Sequence, residues 1–507
     1  MTASGDAKHP AGSISAAEAG SIRAHAVRGA AWMTGLQWAV RALGIASTAV
    51  LARLLTPADF GVMAMAALSM AVIAMFGVSG QDLALIRMGR PSRDYFDSAW
   101  TVEVIVGILL FGLAVASAPI AGMYFHSEKV ELVIYVISFR LLLEGFTNIG
   151  LIFFRIDLDF AKEFRYFIYR KLCSVVLGVL CVLILRNFWG LAIAVVLSKA
   201  ADVMLSYRMH PFRPRFRLNK AREIWSYSSW MLVVTHGRHF AARADEYVVG
   251  AISSAGVMGA YNVGADIAVT PTVDLVEPVT RALFPVYSRL LSDPERLRAA
   301  ALLVIAATAT VCLATGPGVA GTARELTLLL LGPQWKEAAS LVFWFGIGAI
   351  PVGMRVALYA IFEVTGHLRL TAVAVWARLA VLIPTLLIAG RWGGASAIAE
   401  AQAVLGVIAL AGDCFVLRRA IRVSLADVVS CLYRPVAAAL AMVCVLGALD
   451  RAMQLPLAAS LAVKIAAGAA AYVGALTLVW LLARRPDGIE AVAFASAAKT
   501  LRRCLGR

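Results

Sequence analysis

The chain has 507 residues, of which 61% are hydrophobic and 15% are charged, with a mean hydropathy of +0.80. Soluble domains are about 45–50% apolar and about 25% charged, so this composition excludes a soluble enzyme and a disordered scaffold. A net charge of +16 would suggest a nucleic acid partner in a soluble protein. Here the basic residues lie in short loops between apolar runs, as the positive-inside rule requires, and we expect no nucleic acid binding.

About fourteen apolar runs are long enough to cross a bilayer, which takes about 20 residues each. In chain order the predicted spans are 30–52, 60–80, 98–118, 130–153, 166–186, 188–207, 225–250, 258–281, 299–320, 338–363, 368–389, 393–417, 432–450 and 457–483. Most lysines and arginines fall on the side that holds both ends of the chain, which predicts cytoplasmic termini. The fold class is therefore an all-α polytopic membrane protein.

Motifs of catalysis are missing from the sequence. It contains no Gly-rich phosphate loop followed by Lys and Ser or Thr, no HExxH and no GxSxG. The seven cysteines show no metal-ligand spacing. We therefore expect a protein that is not an enzyme and that needs neither a metal nor a cofactor.

A shift of 198 residues aligns the start of the chain with its middle. Trp32 then falls on Trp230 and Gly61 on Gly259. This favours two six-helix lobes around a central cavity, followed by two more helices; chance agreement in an Ala- and Leu-rich sequence is the alternative. The predicted domains are a cytoplasmic tail (1–25), an N-lobe (26–208), a basic cytoplasmic linker (209–224), a C-lobe (225–417), helices thirteen and fourteen (418–483) and a basic tail (484–507).

Three cationic or titratable residues lie inside predicted spans at corresponding places of the two lobes. Arg41 is on the polar face of the first helix, and His239 and Arg243 are on that of the seventh. An arginine at the centre of a span costs about 2.5 to 3.5 kcal/mol on insertion scales and so indicates a partner, a wet cavity or a function. We interpret the three as facing an anionic substrate, because arginine pairs with phosphate oxygens through two nitrogens. Pairing with carboxylates of neighbouring helices is the alternative.

The eighth predicted helix carries Asp266, Asp274 and Glu277 close to two prolines. Carboxylates beside a proline break can bind Na⁺ or take up a proton, so the three are candidates for ion coupling. The alternative is that Asp266 and Asp274 neutralise Arg243 or Arg355 across the interface. Arg355 itself follows a proline on the tenth helix and is a further cavity candidate.

Three other charged features have mainly structural interpretations. Lys199 and Asp202 are three residues apart and are expected to form an ion pair. Lys464 is expected to extend to a membrane surface. Basic and aromatic residues alternate in the linker segment 210–222, which predicts docking on anionic lipid headgroups; recruitment of a polyanionic substrate or a partner enzyme is the alternative.

Several segments resemble the Wzx-type oligosaccharide flippases of the MOP superfamily. They are 50–61 (VLARLLTPADFG), 80–86 (GQDLALI), 258–262 (MGAYN), 283–288 (LFPVYS), 293–298 (DPERLR) and 331–335 (LGPQW). The resemblance implies twelve or fourteen helices in two lobes around a cationic cavity, and alternating access. Arg41 and Arg53 match basic positions of the family's first helix, and Asp245 matches an acidic position of its seventh, where Ala244 replaces the usual Asn.

By this resemblance we expect a flippase that moves a polyprenyl-pyrophosphate-linked sugar repeat across the bacterial inner membrane for an exopolysaccharide, a capsule or an O-antigen. The expected headgroup site is Arg41, Arg53, His239, Arg243 and Arg355, and the ion-coupling candidates are Asp266, Asp274 and Glu277. The expected partners are the lipid-linked oligosaccharide and the bilayer; a polysaccharide polymerase or glycosyltransferases stay open. A cation-coupled drug or metabolite antiporter of the same superfamily is the alternative, but an Arg-rich cavity suits cationic drugs less well.

Overall fold

A computed structural model describes residues 40–77, 85, 88, 92–157, 159–221, 223, 229–365, 368–452 and 455–483. Both predicted tails, and most of segment 80–86, lie outside the described residues. Nine of the described helices are long and apolar enough to cross a membrane, and two helices bent by 60° relative to each other would add a tenth. The chain is therefore a multi-pass membrane protein, as predicted, whereas the count of fourteen spans stays a prediction.

All regular elements in the described part of the chain are helical. In chain order they are α1 (40–54), α2 (Pro57–Met75), α3 (Arg93–Tyr124), α4 (Glu128–Ile137), α5 (Phe139–Gly145), α6 (Ile152–Ile156), α7 (Phe160–Leu185), α8 (Phe188–Met209), α9 (Ser229–Ile252), α10 (Ala255–Leu290), α11 (Pro294–Gly321), α12 (Ala323–Leu330), α13 (Ala338–Val364), α14 (Leu368–Ile421), α15 (Leu425–Ala452) and α16 (Leu457–Leu482). Short 3₁₀ turns cover Ile149–Leu151 and Pro333–Trp335.

Capping residues and one glycine set important helix boundaries. Thr56 and Asp59 form a capping box at the start of α2, in which each side chain accepts the backbone N–H of the other. Within α14, Gly394 has φ +63° and ψ −150°, a conformation that side chains with a Cβ rarely adopt. The predicted boundary between the spans 368–389 and 393–417 lies close to this break.

Buried apolar side chains join the predicted lobes. The largest cluster combines Met65 and Ile134 of the predicted N-lobe with Tyr261 and Val342 of the predicted C-lobe. A second cluster lies among α10, α11, α13, α14 and α15, and another, smaller one joins α15 to α16. The helix pairs with extensive contacts include α10 with α13 and α2 with α10.

A reciprocal glycine contact marks the crossing of α2 and α10. A Cβ on Gly61 would lie 1.7 Å from the carbonyl oxygen of Ala255, and a Cβ on Gly259 would lie 1.8 Å from that of Pro57. Gly61 and Gly259 are 198 residues apart in the sequence, and so are Pro57 and Ala255, which is the shift that the sequence suggests. Two lobes with a repeated structure would make such a symmetric contact, although their boundaries stay a prediction. We refer to this crossing as the glycine seam.

Two lysines inside spans form buried ion pairs. Lys199 Nζ is 2.9 Å from Asp202 Oδ2, which confirms the predicted pair, and it also lies 2.9 Å from Glu144 Oε1. Lys464 is buried, and its Nζ is 2.6 Å from Glu325 Oε1 on α12. The expectation that Lys464 extends to a surface is therefore wrong, because α12 supplies a buried carboxylate for it.

Candidate functional site

Arg41 connects α1 to α10 through two carboxylates. Its Nε atom is 2.6 Å from Asp274 Oδ2, and its Nη2 atom is 4.0 Å from Asp266 Oδ1. The Arg41 side chain is 36% exposed and that of Asp266 is 62% exposed. Glu277 follows Asp274 by three residues on the same helix. The predicted headgroup residue and the predicted ion-coupling carboxylates thus form one charged cluster.

Lys171 on α7 also belongs to this cluster, although the sequence analysis did not single it out. Its Nζ atom is 3.5 Å from the position that a Cβ on Gly44 would take, about one turn along α1 from Arg41. It is also close enough to Arg41 and Asp266 to interact with them electrostatically. Sequence spacing gave no signal for Lys171, because its neighbours lie on a different helix.

Arg243 and Glu246, both on α9, form an ion pair with each other. Arg243 Nη1 donates to both Glu246 oxygens, at 2.8 and 3.1 Å, and Asn262 donates to the same carboxylate at 3.3 Å. The buried carboxylate of Asp245 accepts from the Tyr261 hydroxyl at 2.7 Å. The alternative in which Arg243 pairs with Asp266 or Asp274 is therefore not seen, and Arg41 takes that place.

Arg355 lies beside the second apolar cluster and has its own carboxylate partner. Its Nε atom is 2.6 Å from Asp413 Oδ2 on α14, both side chains are buried, and the Tyr359 hydroxyl also contacts the guanidinium. Asp413 was not singled out in the sequence. A buried arginine nevertheless calls for a carboxylate, and Asp413 supplies it from α14.

Arg53 lies at the end of α1 that adjoins the glycine seam. Its Nη2 atom donates to the Leu329 carbonyl at 2.5 Å. Next to it, the carbonyl of Ala52 accepts from the Trp335 indole and the Gln334 amide, both at 2.9 Å. Segments 50–61 and 331–335, which carry the family resemblance, are thus bonded to each other and hold α1 on the rest of the chain.

A cavity of about 870 Å³ lies within the predicted N-lobe. It is lined by residues of α2, α3, α5 and α7 among others, and His239 of α9 also reaches it. His239 is therefore placed at this cavity, whereas Arg41, Arg243, Arg355 and Arg53 are not among its lining residues. Among the residues that the structure describes, no group of three or more His, Cys, Asp or Glu side chains could hold a metal ion.

The linker is attached to α3 through its backbone. The N–H of Arg215 donates to the carboxylate of Asp97, and the N–H of Arg217 donates to the hydroxyl of Thr101, both at 3.0 Å. The side chains of Arg215 and Phe216 are exposed. The Arg215 side chain is exposed and left available for headgroups, whereas Arg217 pairs with Asp94 and Phe216 packs on Trp100, and lipid docking stays a prediction.

His210 at the start of the linker contacts both the linker backbone and α6. The ring accepts the Phe212 N–H at Nδ1 and stacks on Phe153 at 5.3 Å. Burial lowers the pKa of His210 below its ordinary value of 6.5, the positive charges of Lys162 and Arg213 lower it further, and Asp157 opposes them. The attached linker therefore favours the neutral ring.

Lowering the pH from about 7.5 to about 5.5 is expected to loosen the linker, because the detached histidine protonates near pH 6.5 and the attached one only at lower pH. Above pH 6.5 both forms are neutral, so this residue contributes no pH dependence there. Hydrogen–deuterium exchange of residues 210–221, corrected for the intrinsic exchange rate, measures the change. In His210→Gln we expect the protection of these residues to be the same at both pH values. If their protection in the wild type did not change with pH either, His210 would not be the group that makes the attachment depend on pH.

A family model described as "Polysaccharide biosynthesis protein" matches residues 50–340, more than half of the chain. The chain belongs to this polysaccharide biosynthesis family. The matched region includes the glycine seam and both segments that Ala52 and Trp335 join. It begins after Arg41, so the family match itself assigns no role to the Arg41 cluster.

The similar proteins of this family include three bacterial relatives. The chain is 25% identical over 294 residues to the succinoglycan biosynthesis transport protein ExoT of Rhizobium meliloti, and 21% identical over 325 residues to the lipopolysaccharide biosynthesis protein WzxC of Escherichia coli. It is 19% identical over 267 residues to the teichuronic acid biosynthesis protein TuaB of Bacillus subtilis. These matches cover 57%, 62% and 52% of the chain, and 59%, 65% and 55% of the relatives. The resemblance to Wzx-type proteins is thereby confirmed.

Solved structures share the fold. The lipid II flippase MurJ, in an inward closed conformation, matches with a TM-score of 0.71 at 11% identity, over 89% of this chain and 99% of MurJ. An inward-facing MATE family multidrug transporter of the MOP superfamily matches with a TM-score of 0.59 at 15% identity, over 75% of this chain and 94% of the transporter. The predicted MOP-like helical fold is therefore confirmed at the level of overall architecture.

Proposed function

We propose that the protein is a flippase for a lipid-linked oligosaccharide, and that it moves a polyprenyl-pyrophosphate-linked sugar repeat across the bacterial inner membrane. The family, the relatives named for polysaccharide biosynthesis and transport, and the fold shared with a lipid II flippase support this proposal. The observation that carries it is the ion pair of Arg41 with Asp274. Arg41 is held between the two predicted lobes by carboxylates that an anionic substrate could replace, which favours an anionic, membrane-bound substrate.

In this proposal the substrate pyrophosphate competes with Asp274 and Asp266 for Arg41. Carboxylate and phosphate oxygens both accept charge-assisted hydrogen bonds from a guanidinium, so Arg41 stays paired with an anion during the exchange. The Arg41 side chain and the Asp266 carboxylate are partly exposed, which leaves the cluster open to such a competitor. Lys171 adds a second positive charge beside Arg41.

The exchange would couple substrate binding to lobe movement. While Arg41 pairs with Asp274, α1 and α10 are held together. A substrate anion that takes Arg41 releases this contact, and it shifts the equilibrium only as far as it prefers the released state. The freed carboxylates can then bind a proton or Na⁺ and return the protein to its starting state.

The proposed orientation follows from the distribution of basic residues. With both termini and the linker on the cytoplasmic side, the glycine seam lies on the periplasmic side. The two lobes would be residues 26–208 and 225–417, with helices thirteen and fourteen in 418–483. The structure then corresponds to a state closed toward the periplasm, which receives substrate from the cytoplasm.

The proposal is tested in a strain that lacks the gene, by mass spectrometry of its polyprenyl-pyrophosphate glycans. We expect such a lipid to accumulate and the wild-type gene to clear it. Arg41→Ala is expected to lower the rate of clearance by at least about tenfold, because the cation that pairs with the substrate pyrophosphate is lost. Asp266→Asn combined with Asp274→Asn is expected to slow clearance as well.

Arg391→Ala is the matched control, since Arg391 is an exposed arginine on α14 outside the cluster. Immunoblots of membrane fractions show whether each variant inserts. Unchanged clearance by the double aspartate variant would remove the carboxylates from the mechanism. If no lipid accumulates and the strain becomes sensitive to cationic drugs, the antiporter alternative replaces the flippase.

A further inference from the structure

The lining of the cavity within the predicted N-lobe combines two chemically different sets of side chains. Its apolar part comes from several helices and includes Met63, Met70 and Met75 of α2, which we call the methionine wall. Six charged side chains, which we call the polar wall, also line it: Glu103, Arg140, Glu144, Arg155, Glu163 and Arg170. A cavity with such walls fits a ligand that has both an apolar part and a polar, hydrogen-bonding part.

Most of the cations at the polar wall are already compensated. Arg155 Nε is 2.8 Å from Glu163 Oε1, and Arg170 Nε is 3.7 Å from the buried carboxylate of Asp202. On the acidic side, Glu144 accepts from the buried Lys199 at 2.9 Å. These contacts fix the wall without help from a ligand.

Arg140 differs from these residues. Its side chain is exposed in the cavity, and no carboxylate of the described residues forms an ion pair with it. It lies on α5, near the middle of the predicted span 130–153, and so well inside the predicted membrane region. A cation at this depth is costly and is normally paired or placed at a functional cavity.

We propose that this cavity receives the polar part of the lipid-linked substrate and that Arg140 pairs with an anionic group on it. The inference rests on the proposed function and names a residue of the substrate pathway besides the Arg41 cluster. The exposed carboxylate of Glu144 lines the same cavity and provides an acceptor for sugar hydroxyls. The methionine wall is flexible and apolar and suits the lipid end of the same ligand.

An anionic group of this kind has two sources, the pyrophosphate of the lipid carrier or a carboxylate on the sugar. Both pair with a guanidinium through two oxygens, so the structure identifies their shared chemistry. Soluble probes separate the two sources: inorganic pyrophosphate represents the carrier, digalacturonate represents an acidic sugar, and maltose represents a neutral one.

The test measures the affinity of the purified full-length protein for each probe. We expect wild type to bind at least one of the two anions, and Arg140→Gln to bind it at least about tenfold more weakly. Arg140→Lys is expected to retain part of the affinity, because a lysine keeps the charge but not the paired nitrogens. Maltose binding is expected to be the same in all variants.

Arg165→Gln is the matched control, because Arg165 is an exposed arginine of α7 that does not line the cavity. It removes the same charge and so reports the effect of net charge alone. Weakened pyrophosphate binding in Arg140→Gln would assign the anion to the carrier, and weakened digalacturonate binding would assign it to the sugar.

Equal affinities in wild type and Arg140→Gln, or no binding of either anion to wild type, would overturn the inference. These outcomes do not depend on transport. A protein that binds anions through Arg140 but does not clear the lipid would contradict the proposed function alone. A protein that clears the lipid with Arg140→Gln as fast as with wild type, and binds the anions equally, would contradict only the role of Arg140.

Discussion

Gly259→Ala and Gly61→Ala are each expected to destabilise the protein by about 3 kcal/mol or more, at the upper end of overpacking substitutions. The new Cβ would meet a backbone carbonyl oxygen at 1.8 or 1.7 Å. These carbonyl oxygens belong to the first residues of α10 and α2, and the helical backbone cannot move them away as a side chain could rotate. The two helices must therefore separate. The gain in helix propensity from glycine to alanine, about 1 kcal/mol, does not offset this loss.

Thermal unfolding of the purified protein, followed by tryptophan fluorescence, measures this effect. Gly112→Ala on α3 is the control, because a Cβ at Gly112 has no neighbouring atom within 4 Å. That variant is expected to be as stable as wild type or up to about 1 kcal/mol more stable. If Gly259→Ala unfolds at the wild-type temperature, α2 and α10 do not make the close contact described above.

Lys464→Met is expected to destabilise the protein by about 3–5 kcal/mol, because it leaves the buried carboxylate of Glu325 without a cation. Asp450 also contacts Lys464, but its side chain is half exposed and water can solvate it after the substitution. The main loss therefore comes from Glu325, and α16 is expected to detach from α12.

A double-mutant cycle identifies the source of this loss. Lys464→Met combined with Glu325→Leu removes both charges and is expected to recover most of the stability, since no unpaired ion is left. Lys336→Met, which removes an exposed lysine, is the control and is expected to change little. A double variant as unstable as Lys464→Met would show that packing rather than charge dominates at this site.

Local sequence patterns predicted the parts of the fold that depend on local chemistry. Apolar runs identified the membrane class, and the spacing of Lys199 and Asp202 identified an ion pair because both residues lie on one turn of α8. Arg41 could be recognised as unusual from its place in an apolar run. Its partners could not, because Asp274 is more than 200 residues away in the chain and only the packing of α1 on α10 brings it close.

The same reason explains the error at Lys464 and the unidentified partner of Arg355. Lys464 was expected at a surface, whereas its partner Glu325 comes from a short helix between α11 and α13. The headgroup role of Arg355 stays a prediction, and its carboxylate partner, Asp413 on α14, could not be identified from the sequence. Sequence shows that a buried charge needs a partner, and only the tertiary contacts show which helix provides it.

The linker offers a fixed attachment point for a spectroscopic probe. Its register on α3 is set by backbone N–H groups, one of which donates to the buried carboxylate of Asp97, so a cysteine at position 215 can replace the exposed arginine without removing that bond. A label there moves with α3 as a rigid body. Paired with a second label at the exposed Arg391 of α14, it turns the relative motion of the two predicted lobes into a distance that can be followed during transport.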